Sequence, residues 1–166
     1  MFAAPVPLSS VRSSTAPRLR RATLADADAI ADCQLKLAAE TESVALNRDV
    51  VAAGVRRAIE FDVGAVSLVV DAADSVKVIA TMLLTREWSD WRNGYYLWFQ
   101  SIYVVAVHRR RGIATAMMQT VIDEVRDDGE IAGVRLYVES ENESAESVYH
   151  ALGFVPSGHR ILESLF

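Results

Sequence analysis

Arg109-Arg110-Arg111-Gly112-Ile113-Ala114 joins two stretches of different periodicity. Before it, residues 97–107 are almost wholly apolar and aromatic, as in a buried strand. After it, Ile113, Met117, Met118, Val121, Ile122 and Val125 recur at helical spacing. A short basic turn that feeds a helix is suited to holding phosphate. The first helical turn leaves N–H groups without intrahelical partners, and the helix dipole favours an anion there. Gly112 and Ala114 are small enough for a ligand to approach the backbone. The three arginines add charge that pairs with phosphate oxygens.

Working towards the N-terminus, 95–107 reads as a strand, preceded by the turn signal Asn93-Gly94. Residues 76–85 and 64–70 read as two more strands, separated by a turn at 71–75. A helix is expected over 49–61, with Val51, Val55, Ala58 and Ile59 on one face. A polar loop is expected over 38–47 and a helix over 24–38. Thr23 and Asp26 form a near capping box for that helix, after a short strand at 18–23. Towards the C-terminus, the helix over 112–127 is followed by a strand around Val134, Leu136 and Val138, alternating with Arg135, Tyr137 and Glu139. Asn142 then caps a short helix that Gly153 stops. Strands are expected at 154–156 and 160–166. The element order predicts a mixed α/β sheet.

The chain has 166 residues, enough for one domain with a sizeable core. Its formal net charge is −5, which argues against broad nucleic-acid binding. No apolar run reaches the roughly 20 residues needed to cross a bilayer, so no membrane association is expected. The single cysteine, Cys33, has no intramolecular partner, which makes a reducing cytoplasm the expected compartment and a buried structural thiol its expected role. Residues 1–17 carry scattered prolines and serines and no acid. They read as a flexible extension or as an organelle-targeting peptide, ahead of one domain over 18–166. His108, His150 and His159 lack metal-ligand spacing, so no metal is expected. Neither a phosphate-binding Walker loop, a dinucleotide fingerprint nor a serine elbow is present.

Two motifs lie in chain order: the strand, basic turn and helix at 97–127, and Asn142-x-x-Ala145-x-x-x-Tyr149-x-x-Leu152-Gly153-Phe154. Together they resemble the GCN5-related N-acetyltransferase superfamily. Its cofactor signature, Arg or Gln, two residues, Gly, one residue, Gly or Ala, appears as Arg109-x-x-Gly112-x-Ala114. The resemblance implies a six- to seven-stranded, mostly antiparallel sheet with a splayed parallel pair and about four helices. It implies acetyl-coenzyme A as co-substrate. Ile102, Tyr103 and Val104 would meet its pantetheine arm through main-chain contacts. Arg109, Arg110, Arg111, Gly112, Ile113, Ala114 and Thr115 would hold its diphosphate, and Asn142 would touch the arm or merely cap its helix.

The resemblance also gives Tyr149 the role of general acid, protonating the departing thiolate. Many relatives carry a glutamate base where this chain has Gln100, and glutamine cannot accept a proton. Three alternatives stand: a base acting through water, Glu139 on the following strand, or an amine that arrives neutral. On the acceptor side, Glu40 and Glu42 in the loop after the first helix, with Trp88 and Asp90 beside the hairpin, suit a cationic amine. The expected activity is acetyl transfer to a primary amine of a small molecule or peptide, by direct attack in a ternary complex. The alternative is a non-catalytic acyl-coenzyme A sensor or interaction module. The apolar end Leu165-Phe166 suggests pairing between two copies.

Overall fold

The computed structural model describes residues 18–61, 63–73, 75, 77–139 and 142–164. The extension expected at 1–17, and the Leu165-Phe166 end expected to pair two copies, lie outside these residues. The described chain forms two compact units, one ending at Leu136 and one beginning at Tyr137.

In the first unit, β1 (Leu19–Arg21) precedes α1 (Ala27–Thr41) and α2 (Arg48–Glu60). Then come β2 (Ala65–Asp71), β3 (Val78–Ser89), β4 (Gly94–Val104), α3 (Ile113–Val125) and β5 (Ile131–Leu136). The sheet order is β1-β2-β3-β4-β5, antiparallel at its first three junctions and parallel between β4 and β5. α1 and α2 cover one face, where Val55 and Ile59 pack on buried Ile30, Val69 and Val78. The other face carries Leu68, Met82, Leu84, Leu97 and Phe99, all buried, and α3 turns the buried Met117, Met118, Val121 and Val125 to it.

Local chemistry sets the helix boundaries. α2 starts at Asn47, whose side chain accepts from the amides of Asp49 (2.9 Å) and Val50 (3.2 Å). Before α1, a 3-10 turn at Leu24–Asp26 is held by Asp26, which accepts from the Thr23 amide at 2.7 Å and hydroxyl at 2.9 Å. α1 then runs on to Thr41, further than the polar composition suggested, so Glu40 and Thr41 lie in the helix and not in a loop. Thr41 Oγ1 bonds back to the Leu37 carbonyl at 2.9 Å, which supports that last turn. The hairpin between β3 and β4 turns through residues 90–93. Asn93 takes a positive φ of 48°. Gly94 is already the first strand residue, and it is needed for space: a Cβ there would lie 2.9 Å from the Glu130 carbonyl oxygen.

In the second unit, α4 (Glu143–Ala151) is capped by Asn142, which accepts from the Ala145 amide at 3.1 Å. Gly153, at φ 89°, ends the turn that follows. The strand count differs from the expectation. The sheet has five strands among the described residues, and residues 154–164 form none. Val155, Ile161 and Leu162 are exposed there. Alternation makes a strand only where a free edge can pair with it. The same reason shortens β5, which ends at Leu136, so Glu139 lies beyond the strand on which it was placed. Its ladder with β4 stops at the pair Phe99–Leu136.

Arg20 of β1 ties this framework together. Its guanidinium grips both carboxylate oxygens of Asp26 (2.8 and 2.9 Å) and both of Asp71 at the end of β2 (2.6 and 2.8 Å). These bonds hold buried Asp26 at a pKa of about 2, below its ordinary 3.8. A carboxyl whose native value is depressed stabilises the fold above its unfolded value and stops doing so as pH falls through the native one. The contribution is about 2 kcal/mol above roughly pH 4, lost towards pH 2. Urea unfolding should therefore show Asp26→Asn destabilised near neutral pH by about that amount, with a flatter acid limb than the parent.

Candidate active site

The centre of the site is an extra residue in β4. Leu83 pairs with Ser101 while the next residue, Leu84, pairs with Phe99, so Gln100 has no partner on β3. Such a bulge bends the strand and interrupts its ladder. The parallel pairing with β5 stops at Phe99, and β4 continues to Val104 with, among the described residues, β3 alone paired to it. The Val105 amide bonds to the Ile79 carbonyl at 2.9 Å, which fixes the phase of the ladder. By alternation, Ser101 and Tyr103 exchange hydrogen bonds with β3, while Ile102 and Val104 direct theirs to the open edge. Of the three residues expected to meet a pantetheine arm, two thus offer main-chain groups there. The third, Tyr103, instead contributes its side chain.

After β4 the chain makes a 3-10 turn at Ala106–His108, where a continuing strand was expected, and then enters the basic turn. Arg110 (φ 60°) and Gly112 (φ 72°) are both left-handed, and Gly112 is the N-cap of α3. Among the described residues, the amides of Arg110, Arg111, Gly112, Ile113, Ala114 and Thr115 have no hydrogen-bond acceptor. Left-handed residues beside unpaired amides at the positive end of a helix are a backbone arrangement suited to an anion. Backbone amides of this kind suit the oxygens of a diphosphate, and arginine supplies the charge to balance it. Arg110 and Arg111 are exposed beside these amides.

Arg109 is engaged elsewhere. Its Nε donates to the Val104 carbonyl at 2.8 Å and its Nη2 to Glu40 Oε2, while its guanidinium lies 5.1 Å from the centre of the Tyr103 ring. Tyr103 Oη donates to Glu40 Oε1 at 2.8 Å. The Arg109 and Tyr103 hydrogen bonds push the Glu40 carboxyl below its ordinary range, and burial with the Glu40 bond pushes the Tyr103 phenol up. Glu40, expected to meet an acceptor, and Arg109, expected to meet phosphate, are thus partners of each other. They join the last turn of α1 to the turn that precedes α3.

The remaining acceptor-side residues are not brought together. Glu42 is the exposed C-cap of α1. Trp88 lies edge-on to Tyr95 with ring centres 5.0 Å apart, and clamps the hairpin. Asp90 Oδ1 accepts from the Trp91 amide within the turn. Register sets Trp88 and Tyr95 on the sheet face opposite Glu87 and Tyr96. The face shared by Gln100 and α1 instead carries Thr85, Glu87, Tyr96, Trp98 and Arg135. Arg135 was missed as a site residue. Alternation sets Arg135 on one face of its strand, but only the register Trp98–Arg135 between β4 and β5 shows which face that is.

In the second unit, Tyr149 is half-buried and packs edge-on to Phe154, with ring centres 6.1 Å apart. The Phe154 amide bonds to the Tyr149 carbonyl at 3.0 Å. Burial raises the Tyr149 phenol above its ordinary value of 10.0, so the hydroxyl stays protonated throughout the neutral range. Asn142 spends its side chain on capping α4.

Comparison with known proteins agrees with this geometry. The sequence profile described as "Acetyltransferase (GNAT) family" matches residues 35–154. A crystal structure described as a "possible acetyltransferase" from Clostridium difficile 630 is 36% identical. It superposes with a TM-score of 0.82, covering 90% of this chain and 97% of its own. A structure described as a "probable acetyltransferase" is 20% identical, with a TM-score of 0.77 over 89% of this chain and 96% of that one. The ribosomal-protein-alanine N-acetyltransferase of Brucella melitensis biovar Abortus 2308 shares the fold at 14% identity, with a TM-score of 0.72 over 91% of this chain and 100% of its own. No curated protein sequence matches the chain. With that profile matched over most of the chain and a relative at 36% identity over 90% of it, the protein belongs to the acetyltransferase (GNAT) family of acyltransferases.

Proposed function

We propose that this protein transfers an acetyl group from acetyl-coenzyme A to a primary amine by direct attack in a ternary complex. The observation that carries the proposal is the run of six unpartnered amides from Arg110 to Thr115. These amides grip the diphosphate, each bond to a charged acceptor contributing about 1.5–3 kcal/mol. Arg110 and Arg111 add long-range charge. Arg109 stays on Glu40 and the Val104 carbonyl, and acts by holding the turn rather than by touching phosphate. The open-edge groups of Ile102 and the Val104 amide orient the extended arm.

Acetyl-coenzyme A supplies the activated thioester. Backbone N–H groups beside the bulge stabilise the oxyanion that develops on the carbonyl, a term of about 3–4 kcal/mol per donor. Tyr149 Oη donates its proton to the departing sulfur as the new C–N bond forms and the C–S bond breaks; the proton that the attacking nitrogen sheds passes to water, and water returns one to the Tyr149 phenolate. Gln100 cannot take the amine's proton. Its exposed side chain, 3.4 Å from Thr85 Oγ1, holds the incoming amine or a water, and the amine reacts in its neutral form. Glu139, beyond the end of β5, acts only through water.

Calorimetry with acetyl-coenzyme A, paired with thiol release over an amine library, tests the proposal. Binding without turnover on any amine would favour the sensor. Gly112→Ala places a side chain at φ 72°. Its strain of about 1–2 kcal/mol should weaken acetyl-coenzyme A by roughly tenfold. Tyr149→Phe should leave that affinity intact and lower kcat by roughly a hundredfold; unchanged turnover across pH would remove Tyr149 from the chemistry. In the parent, kcat/KM should climb with pH as the acceptor amine deprotonates. Gln100→Glu installs a base and should raise the low-pH limb of that profile.

A further inference from the structure

Arg135 is held in an unusual way for an exposed residue. Its Nη1 lies 3.0 and 3.2 Å from the two carboxylate oxygens of Glu87, which reaches across from β3. Glu87 Oε2 also accepts from the Trp98 indole at 2.5 Å. The guanidinium carbon sits 3.5 Å from the centre of the Tyr96 ring and 5.7 Å from that of Trp98. Gly133, in register with Tyr96, makes room for that ring: a Cβ there would lie 3.2 Å from Tyr96 Cε1. Three side chains on two neighbouring strands thus fix one guanidinium carried by a third strand.

Stability does not account for the arrangement. The Arg135 and Glu87 side chains are 32% and 46% exposed, and pairs at that exposure contribute little to folding. What the arrangement does is orient. Only Nη1 is used, and among the described residues Nε and Nη2 have no partner. A planar guanidinium with a fixed orientation and two free donors matches a carboxylate edge-on. Glu87 beside it lowers the local positive charge, which suits a monoanion better than a phosphate dianion. Gln100 lies on the same face, two residues from Trp98, which is about 7 Å along the strand.

We infer that Arg135 is the specificity-determining residue of the acceptor site, reading the carboxylate of an acceptor that carries both an amine and a carboxylate. The inference rests on the acetyl-transfer reading. The acceptor lies along the exposed face of β3, β4 and β5, with its carboxylate on Nε and Nη2 of Arg135 and its amine towards Gln100. Tyr96 and Trp98 flank its carbon chain.

The test uses the full-length protein and matched acceptors: γ-aminobutyrate against butylamine, and alanine against alaninamide. Thiol release should favour the carboxylate member by roughly tenfold or more in kcat/KM. Arg135→Gln should abolish the preference through KM, with little change in kcat and none in acetyl-coenzyme A affinity. Arg135→Lys, which keeps the charge and loses the fork, should lose most of it. Equal rates on matched acceptors, or a preference that survives Arg135→Gln, would overturn the inference while leaving acetyl transfer standing. If no amine is turned over, acetyl transfer fails instead, and calorimetry decides the carboxylate site. Saturable binding of γ-aminobutyrate that Arg135→Gln removes upholds it, and absence of binding to the parent overturns it.

Discussion

The extra residue at Gln100 is the constraint on which the rest of the site depends. A β-ladder satisfies main-chain groups on both sides of a strand, and it leaves no room for a ligand between neighbours. By adding one residue to β4, the bulge interrupts that regularity just where the parallel pairing with β5 ends. The groups of Ile102 and Val104 are then left on an edge that no strand covers among the described residues. It also changes what the sheet faces carry. Phe99 remains in the core, while Gln100 and Ser101 both come to the side of α1, Ser101 accepting from Gln34 at 3.0 Å. A packed core and an exposed reactive strand are thereby built into one segment.

The three consecutive arginines show how context divides chemically equal residues. Arg109 is held by Glu40, Tyr103 and the Val104 carbonyl, so its charge is spent on joining α1 to the turn. Arg110 takes a left-handed backbone conformation, rare for a residue with a Cβ, as does Gly112 two residues on. Arg111 is exposed beside them. What this turn offers a ligand is therefore mainly a row of backbone amides, with arginine charge added around it. Backbone donors in a fixed turn lose no side-chain freedom when they bind, which favours them over flexible side chains as the principal grip.

Much of this was legible in the residues. Apolar runs bounded by turn signals located β2, β3 and β4, and the helical recurrence from Ile113 to Val125 located α3, because periodicity reports which face of a helix is buried. Asn47 and Asn142 act locally, and each caps its helix with its own side chain. Less legible was where elements stop. Residues 137–139 continue the alternation of β5, and residues 154–164 were read as strands, yet neither belongs to the sheet. Whether a strand forms depends on a partner edge elsewhere in the chain. Gly94 is a similar case: its dipeptide signals a turn, but its necessity comes from the Glu130 carbonyl, distant in sequence.

The sequence by itself determined the family, the basic turn before α3 and the absence of a carboxylate at position 100, since each is written in a short contiguous motif whose chemistry is local. Tertiary structure alone decided that Trp88 clamps a hairpin, that Glu40 belongs to Arg109, and that Glu87, Tyr96, Trp98 and Arg135 form one cluster. Those pairings join residues from different strands and helices. They depend on register and sheet face, where the slip of a single residue at Gln100 carries a side chain from one side of the sheet to the other.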